Sequence, residues 1–157
     1  FVNYVLSLLG LGPISWSRDP FWNQVLIILA ITWRWTGYNM VIYLSGLQGI
    51  PGDIYESASV DGASRLTQFF RLTLPLMRPI ILFTTIFSTI GTLQLFDESY
   101  LLTRGGPSDA TLTVGAYLYR VAFQRADFPY ASTIAYGLLV IILVLSIIQL
   151  RVGDREV

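Results

Sequence analysis

The side chains in this sequence that could do chemistry are few and of restricted kinds. There are no His and no Cys, which removes the commonest general base, the thiolate nucleophile and the usual zinc ligands. Every cation is Arg, and no Gly-x-x-x-x-Gly-Lys-Ser/Thr phosphate loop occurs. Two sets of polar residues remain. One is charged and clustered: Asp53, Glu56, Asp61, Arg65, Arg71 and Arg78, in and just ahead of "ESASVDGASRLTQFFRLTLPLMRP" at residues 56–79. The other is neutral: Thr36, Gly37 and Asn39 in one apolar stretch, with Ser88, Thr92 and Gln94 in another. Charged groups rimming small apolar faces suit docking against a soluble partner. Hydroxyls and amides near aromatic rings suit a hydroxyl-rich ligand. No close carboxylate pair falls inside an apolar run, so intramembrane acid–base catalysis has no candidate residues.

The elements that must position these sets are set by hydropathy. Of 157 residues, 54% are hydrophobic and 13% charged, and mean hydropathy is +0.59. Soluble domains carry about 25% charged residues, so the composition points to a bilayer. Net charge is zero, which gives no general attraction to nucleic acid. Three segments approach the roughly 20 apolar residues that a spanning helix needs: 21–47, interrupted by Arg34 alone, then 79–96 and 128–150, both uncharged. The last contains "GLLVIILVLSIIQL", which has no polar face. The expected fold is therefore all-α, with polytopic transmembrane helices (three spans) and a short loop between the first two. Residues 1–20 break at "GLGP", and Trp16, with Trp22 just beyond them, suits a membrane interface. No basic n-region of a signal peptide opens the chain, which starts without Met and reads as a fragment. After Asp97 and Glu98, at the outer water boundary, the sequence turns at "RGGPSD". It continues as "ATLTVGAYLYRVAFQRADF", a helix lying along the interface or folded back on the spans.

Local signals give the charged loop a shape. Pro51 and Gly52 end the first span's approach. Asp53 is placed to cap a new helix, with Glu56 three residues on as in a capping box. That helix runs to about Asp61, and Gly62 is its C-terminal stop. Ser64 starts a second short helix, "RLTQFFRL", that ends before Pro75, and Pro79 falls in the first turn of the next span. Ile54, Tyr55 and Ala58 give the first helix an apolar face; Leu66, Phe69 and Phe70 do so for the second. One reading is a solvated connector, the other a docking knob. With three spans, this loop and residues 151–157 share a side. Arg65, Arg71, Arg78, Arg151 and Arg155 lie there, against Arg18, Arg104, Arg120 and Arg125 opposite. Five against four leans weakly toward a cytoplasmic loop.

The stretch at residues 56–79 closely resembles the EAA motif of permease subunits of binding-protein-dependent ABC importers. "GLQGIPGDIYESASVDGAS", "LTRGGPSDAT" and "SRDPFWNQVLIILAITWRWTGYNMVIYLSGL" resemble the carbohydrate type, the maltose and glycerol-phosphate class. Ser57 stands where the name motif has its first Ala. The resemblance covers essentially all of the chain, taken as the C-terminal part of a permease transmembrane domain, with residues 51–79 as its cytoplasmic coupling loop. It implies a multi-pass protein of the inner membrane, not an enzyme, that binds no cofactor itself. ATP and Mg would be used by a partner, an ABC ATPase subunit dimer. A second permease subunit, an extracytoplasmic solute-binding protein, a sugar-like solute and membrane lipid complete the implied partners; nucleic acid is not among them. Glu56, Ala58, Asp61, Gly62 and Ala63 would couple to the ATPase, Glu56 by a charged contact and Gly62 by permitting a sharp break.

The resemblance also implies that the first two spans line a central path, which places Thr36, Gly37, Asn39, Ser88, Thr92 and Gln94 along it. Ser and Thr in membrane helices also bond their own backbone or bridge helices, so a purely structural role stands beside the functional one. Arg34 is either a cavity residue or a tie to another helix, with Trp33 and Trp35 flanking it; an intramembrane Arg is costly unless paired or watered. The polar inventory favours a neutral carbohydrate. A phosphorylated or other polar solute, or a non-transporting scaffold or receptor subunit, are the alternatives.

Overall fold

The computed structural model describes residues 2–10, 12–16 and 18–154. Arg155, counted above for orientation, lies outside them, as does Leu11 of "GLGP". Among the described residues there is no strand. The helices are α1 (Val2–Leu8), α2 (Pro20–Gln48), α3 (Gly52–Val60), α4 (Arg65–Leu93), α5 (Val114–Tyr119) and α6 (Phe128–Asp154). Three of them, α2, α4 and α6, are long and apolar enough to cross a membrane. Long, predominantly apolar stretches explain all three.

The second span differs from expectation. "RLTQFFRL" does not stop before Pro75, and Pro79 does not open a new helix. Both lie within one helix running from Arg65 to Leu93. The reason is a single widened π turn at Phe69–Thr73, closed by the Leu74 N–H on the Phe69 carbonyl. This opens the helix just ahead of Pro75, whose ring needs room against the preceding turn and whose nitrogen has no proton to bond.

The chain divides into two compact units, Phe1–Trp33 with Leu93–Tyr136, and Arg34–Thr92 with Gly137–Val157. In the second unit α2 and α4 run antiparallel with a constant register. Trp35 lies on Gly91. The Asn39 amide donates to the Ser88 hydroxyl at 3.2 Å. The Tyr43 and Thr84 hydroxyls share a bond of 2.7 Å. Gly46 sits under Met77 and Ile80. Small residues where large side chains cross let membrane helices approach closely. On another face of α4, Gln149 of α6 donates to Thr89 at 2.8 Å, and Gly153 abuts Leu82. α4 is thus the helix on which the others in this unit pack.

The first unit is organised around the "RGGPSDAT" turn. Asn23 of α2 is 1% exposed, and its side-chain oxygen accepts from the Thr111 hydroxyl at 3.2 Å. The fully buried Ser99 hydroxyl donates to the Thr111 carbonyl at 2.6 Å. Gly106 has φ +71°, and a Cβ there would press on Asn23 and Thr111, so the second Gly of the turn answers both conformation and space. Beyond the turn α5 continues into a π turn at Arg120–Gln124. It folds back so that Val121 and Ala122 bury with Ala131 against Tyr117 and Ile134. The end of this segment therefore packs on the first turns of α6.

Candidate coupling and solute-path sites

The loop between α2 and α4 is a nine-residue helix bounded by a proline and a glycine. A helix this short is marginal alone, so its ends and ties matter. At its start the capping expectation fails. Pro51 occupies the cap position, no side chain caps the first turn, and Asp53 sits inside the helix. Its carboxylate there favours the positive end of the helix dipole rather than closing a hydrogen bond. The end of α3 is as expected. Gly62 has φ +78°, its N–H reaches the Ser59 carbonyl at 3.1 Å, and Ala63 N–H reaches the Ala58 carbonyl at 2.9 Å. That pair of bonds is a complete Schellman motif. It gives Ala58 and Ala63 a common structural role, since both are half-buried where the motif brings its flanking residues together. Ser64 then caps α4, accepting from the Thr67 N–H at 3.3 Å.

Two side-chain bonds, neither evident in the sequence, pin α3 to the base of α4, and a third steadies the turn between them. The Tyr55 and Thr73 hydroxyls are 2.9 Å apart, with Thr73 buried in the π turn. Gln68 donates to the Ser59 hydroxyl at 2.9 Å and to the Ala63 carbonyl at 3.3 Å. The Tyr55–Thr73 and Gln68–Ser59 bonds bridge the Gly62 turn, so no local periodicity announces them. On the pinned knob Glu56, Asp61 and Gly62 are exposed. So are large apolar side chains: Val60 at 88%, Leu66 at 72% and Phe70 at 61%. A fixed element with an apolar tip and a carboxylate rim is suited to pushing into a complementary cleft.

The neutral polar residues separate into two groups. Asn39 and Ser88 are bonded to each other and half-buried. Thr36, Gly37, Thr92 and Gln94 are exposed, with open space beside Gly37. Gln94 falls just beyond the end of α4. Thr36 and Asn39 border an open groove of about 490 Å³ with Tyr43 and three aliphatic side chains. Thr84, which carries no role in the sequence reading, is 1% exposed and bonds both Tyr43 and its own helix backbone. Arg34 lies with its guanidinium carbon 5.4 Å from the Trp35 ring centroid, a cation–π distance. Trp33, by contrast, is 84% exposed. Among the described residues no cluster of acidic side chains could hold a metal.

Outside the spans, Arg120 forks onto Asp109 through bonds of 3.1 and 2.9 Å. That guanidinium holds the Asp109 carboxyl below the usual carboxylate range, against a smaller opposing effect of burial. The Tyr119 hydroxyl, bonded to Tyr100, titrates above the ordinary tyrosine value.

Comparison with known proteins places this geometry. Residues 1–155 match the family described as binding-protein-dependent transport system inner membrane component. A lactose transport system permease protein of Rhizobium radiobacter is 52% identical over 153 residues, covering 94% of this chain and 51% of that protein. A trehalose/maltose transport system permease protein of Thermococcus litoralis is 36% identical over 151 residues, covering 96% of this chain and 51% of that one. A crystal structure of a bacterial alginate ABC transporter, in complex with an alginate pentasaccharide-bound periplasmic protein, superposes with TM-score 0.86 at 28% identity. It covers 99% of this chain and 54% of the matched one. The chain spans about half the length of the curated relatives it matches.

Proposed function

This chain belongs to the binding-protein-dependent transport system inner membrane components, and on that footing we propose that it is the coupling half of a sugar importer's permease. The observation that carries the reading is the α3 knob. It is closed by a Schellman turn, pinned to α4 by Tyr55 and Gln68, and presents Glu56 with Val60, Leu66 and Phe70 exposed. A connector would need none of those ties. A lever needs all of them, because force applied at the knob must reach the span without bending the loop.

In this reading the knob seats in a cleft of a separate ATPase subunit, one of a dimer that binds ATP and Mg. Glu56 makes the charged contact and Asp61, Gly62, Ala58 and Ala63 keep the turn that aims it. Closure of the dimer moves α3. The bonds to Thr73 and the helix end at Ser64 pass the movement into α4, and through the Asn39–Ser88 and Tyr43–Thr84 bonds into α2. A second permease subunit completes the path, and an extracytoplasmic binding protein delivers the solute. Thr36, Gly37, Thr92 and Gln94 are the solute-path residues left exposed for contact. Asn39 and Ser88 serve first as a helix tie. The solute is a di- or oligosaccharide, in keeping with the lactose and trehalose/maltose permeases among the relatives. The chain itself performs no covalent chemistry.

The test is reconstitution of the full-length permease with its partner subunits and binding protein in proteoliposomes. ATP-dependent uptake of labelled lactose, maltose or an arabinose trisaccharide supports the reading. An assembled complex that hydrolyses ATP but takes up none of them overturns it in favour of another polar solute; one that neither binds an ATPase nor transports is a scaffold.

A further inference from the structure

We propose that the segment between the second and third spans carries a sugar-binding subsite, lined by Tyr100, Arg104, Tyr119 and Gln124, that holds one sugar unit of the solute before it enters the span region. The inference rests on the sugar-permease reading above and adds to it a site outside the spans. Counted by crossings, this segment lies on the face opposite the α3 loop, the side from which an imported solute arrives.

The cavity has a volume of about 420 Å³, within the roughly 300–1,000 Å³ of small-molecule sites. Its lining has the composition that sugars require. The Tyr100 and Tyr119 rings stand 5.1 Å apart at 65°. Each has a further ring against it: Phe96 stacks on Tyr100 at 5.1 Å, and Phe123 lies 5.2 Å from Tyr119. Packed rings offer a sugar's C–H face an apolar platform at little entropic cost. Around them Arg104, Arg120 and Gln124 supply donors for hydroxyls. Arg120 is already forked onto Asp109, so its charge is balanced and Arg104 and Gln124 are the groups that can turn to a ligand. Gly105 and Ala116, both buried, leave the floor small.

The backbone supports the assignment. Arg104 holds φ 52° without being Gly, as do Ser108 at 54° and Asp109 at 57°. Such conformations are uncommon without Gly and persist where the surroundings over-determine them. Here the Ser99–Thr111 and Asn23–Thr111 bonds fix the turn, and Arg104, at the left-handed end of the Ser99–Thr103 turn, is exposed. The larger groove in the span region makes the contrast. It is bordered by Val41, Ile42, Leu76, Ile80 and Phe83, which suit acyl chains or a neighbouring helix, not hydroxyls.

The experiment compares variants of the full-length permease in the assembled proteoliposome transporter, using as probe whichever of lactose, maltose and arabinose trisaccharide the unaltered complex takes up. Arg104→Gly removes the guanidinium while relieving the backbone, so it cannot fail through strain. Gln124→Ala removes an exposed amide with no packing role. Tyr119→Phe keeps the platform and Tyr119→Leu removes it. The expected result is a rise in KM on the order of 3- to 10-fold for Tyr119→Leu, a smaller rise for Arg104→Gly and Gln124→Ala, and near-normal KM for Tyr119→Phe, with Vmax and basal ATP hydrolysis retained. Unchanged KM in both Arg104→Gly and Gln124→Ala, or a loss confined to Vmax, overturns the subsite while leaving the sugar-permease reading intact. Failure of the unaltered complex to take up any probe overturns both.

Discussion

Glu56 and Gly62 share one short helix and fail in different ways when replaced. Glu56 is exposed, so Glu56→Lys should change stability by no more than about 0.5 kcal/mol. It should nonetheless reverse the charge offered to the ATPase, and copurification of the complex should fall sharply while membrane insertion is normal. Gly62 is the reverse case. A Cβ there meets nothing within 4 Å, yet φ is +78°, so the penalty is conformational rather than a packing clash. Gly62→Val should cost on the order of 1–2 kcal/mol and uncouple transport, whereas Gly62→Asn, which tolerates that region better, should recover most of the activity. Equal loss in both variants would point to the missing hydrogen or to shape at the interface instead. At the other loop, Asp109 titrates low because Arg120 bonds it. Its contribution to folding is therefore present above the unfolded carboxylate value of about 3.9 and lost as pH falls through the lower folded value. The pair is partly solvated, so the effect is small. Protection against amide exchange across residues 104–112, taken relative to the intrinsic rate at each pH, should fall below about pH 4 in the unaltered chain, and Asp109→Asn should remove that pH dependence.

At the scale of elements, the antiparallel register of α2 and α4 depends more on small residues than on hydrogen bonds. The bonds between them, Asn39–Ser88 and Tyr43–Thr84, are worth about 0.6 kcal/mol each in a membrane. A side chain forced between packed helices costs about 1–3 kcal/mol by itself. Gly91 lies against the Trp35 ring, so Gly91→Leu should destabilise the permease more than Asn39→Ala or Thr84→Val, as read by thermal aggregation in detergent. The opposite ranking would make the polar ladder the stronger tie. These elements also mark what could be read from the sequence. The three spans were legible because uninterrupted apolar runs have one reading. The Gly62 stop and the Ser64 cap were legible because each depends on residues within a few positions. The start of α4 was not: Pro75 and Pro79 look like stops, yet a π turn, which leaves no compositional trace, opens the helix ahead of Pro75, and the helix runs on through Pro79. Asp53 was misplaced by two residues because Pro51 pre-sets the first turn and makes a side-chain cap unnecessary. Thr84, Gln68 and Thr73 were missed because their partners lie across a turn or on another helix. Of the expected solute-path residues, Asn39 and Ser88 proved bound to each other for the same reason.

As a whole, the chain is a multi-pass inner-membrane protein with three spans among its described residues, and two properties of the whole follow from the reading of its parts. The first is orientation. The chain has no Cys, so a single Ser64→Cys substitution beside the knob reports cleanly, and it should react with a membrane-impermeant thiol reagent only when the cytoplasmic face is opened. Labelling from outside intact cells would invert the topology and remove the ATPase from its docking site. The second is the charge of the solute, which turns on Arg34. It is the one cation within the three apolar runs, and its guanidinium lies over Trp35, the ring that packs on Gly91. A cation engaged with a ring that is itself wedged between helices is placed to hold a helix face rather than to follow a moving anion. In the proposed reading, recognition of a neutral sugar would rest instead on several bonds of about 1 kcal/mol each. Arg34→Gln should therefore leave the KM for lactose or maltose unchanged, with a modest loss of stability from the missing cation–π contact, about 0.5–1 kcal/mol. If Arg34 instead holds a phosphate in paired geometry, the same variant should lose uptake of a phosphorylated solute on the order of tenfold or more while the complex still assembles. Competition between glycerol 3-phosphate and lactose in the unaltered transporter decides the matter independently: inhibition by the phosphate ester at concentrations near the lactose KM would overturn the neutral-sugar assignment, and indifference to it is the expected result.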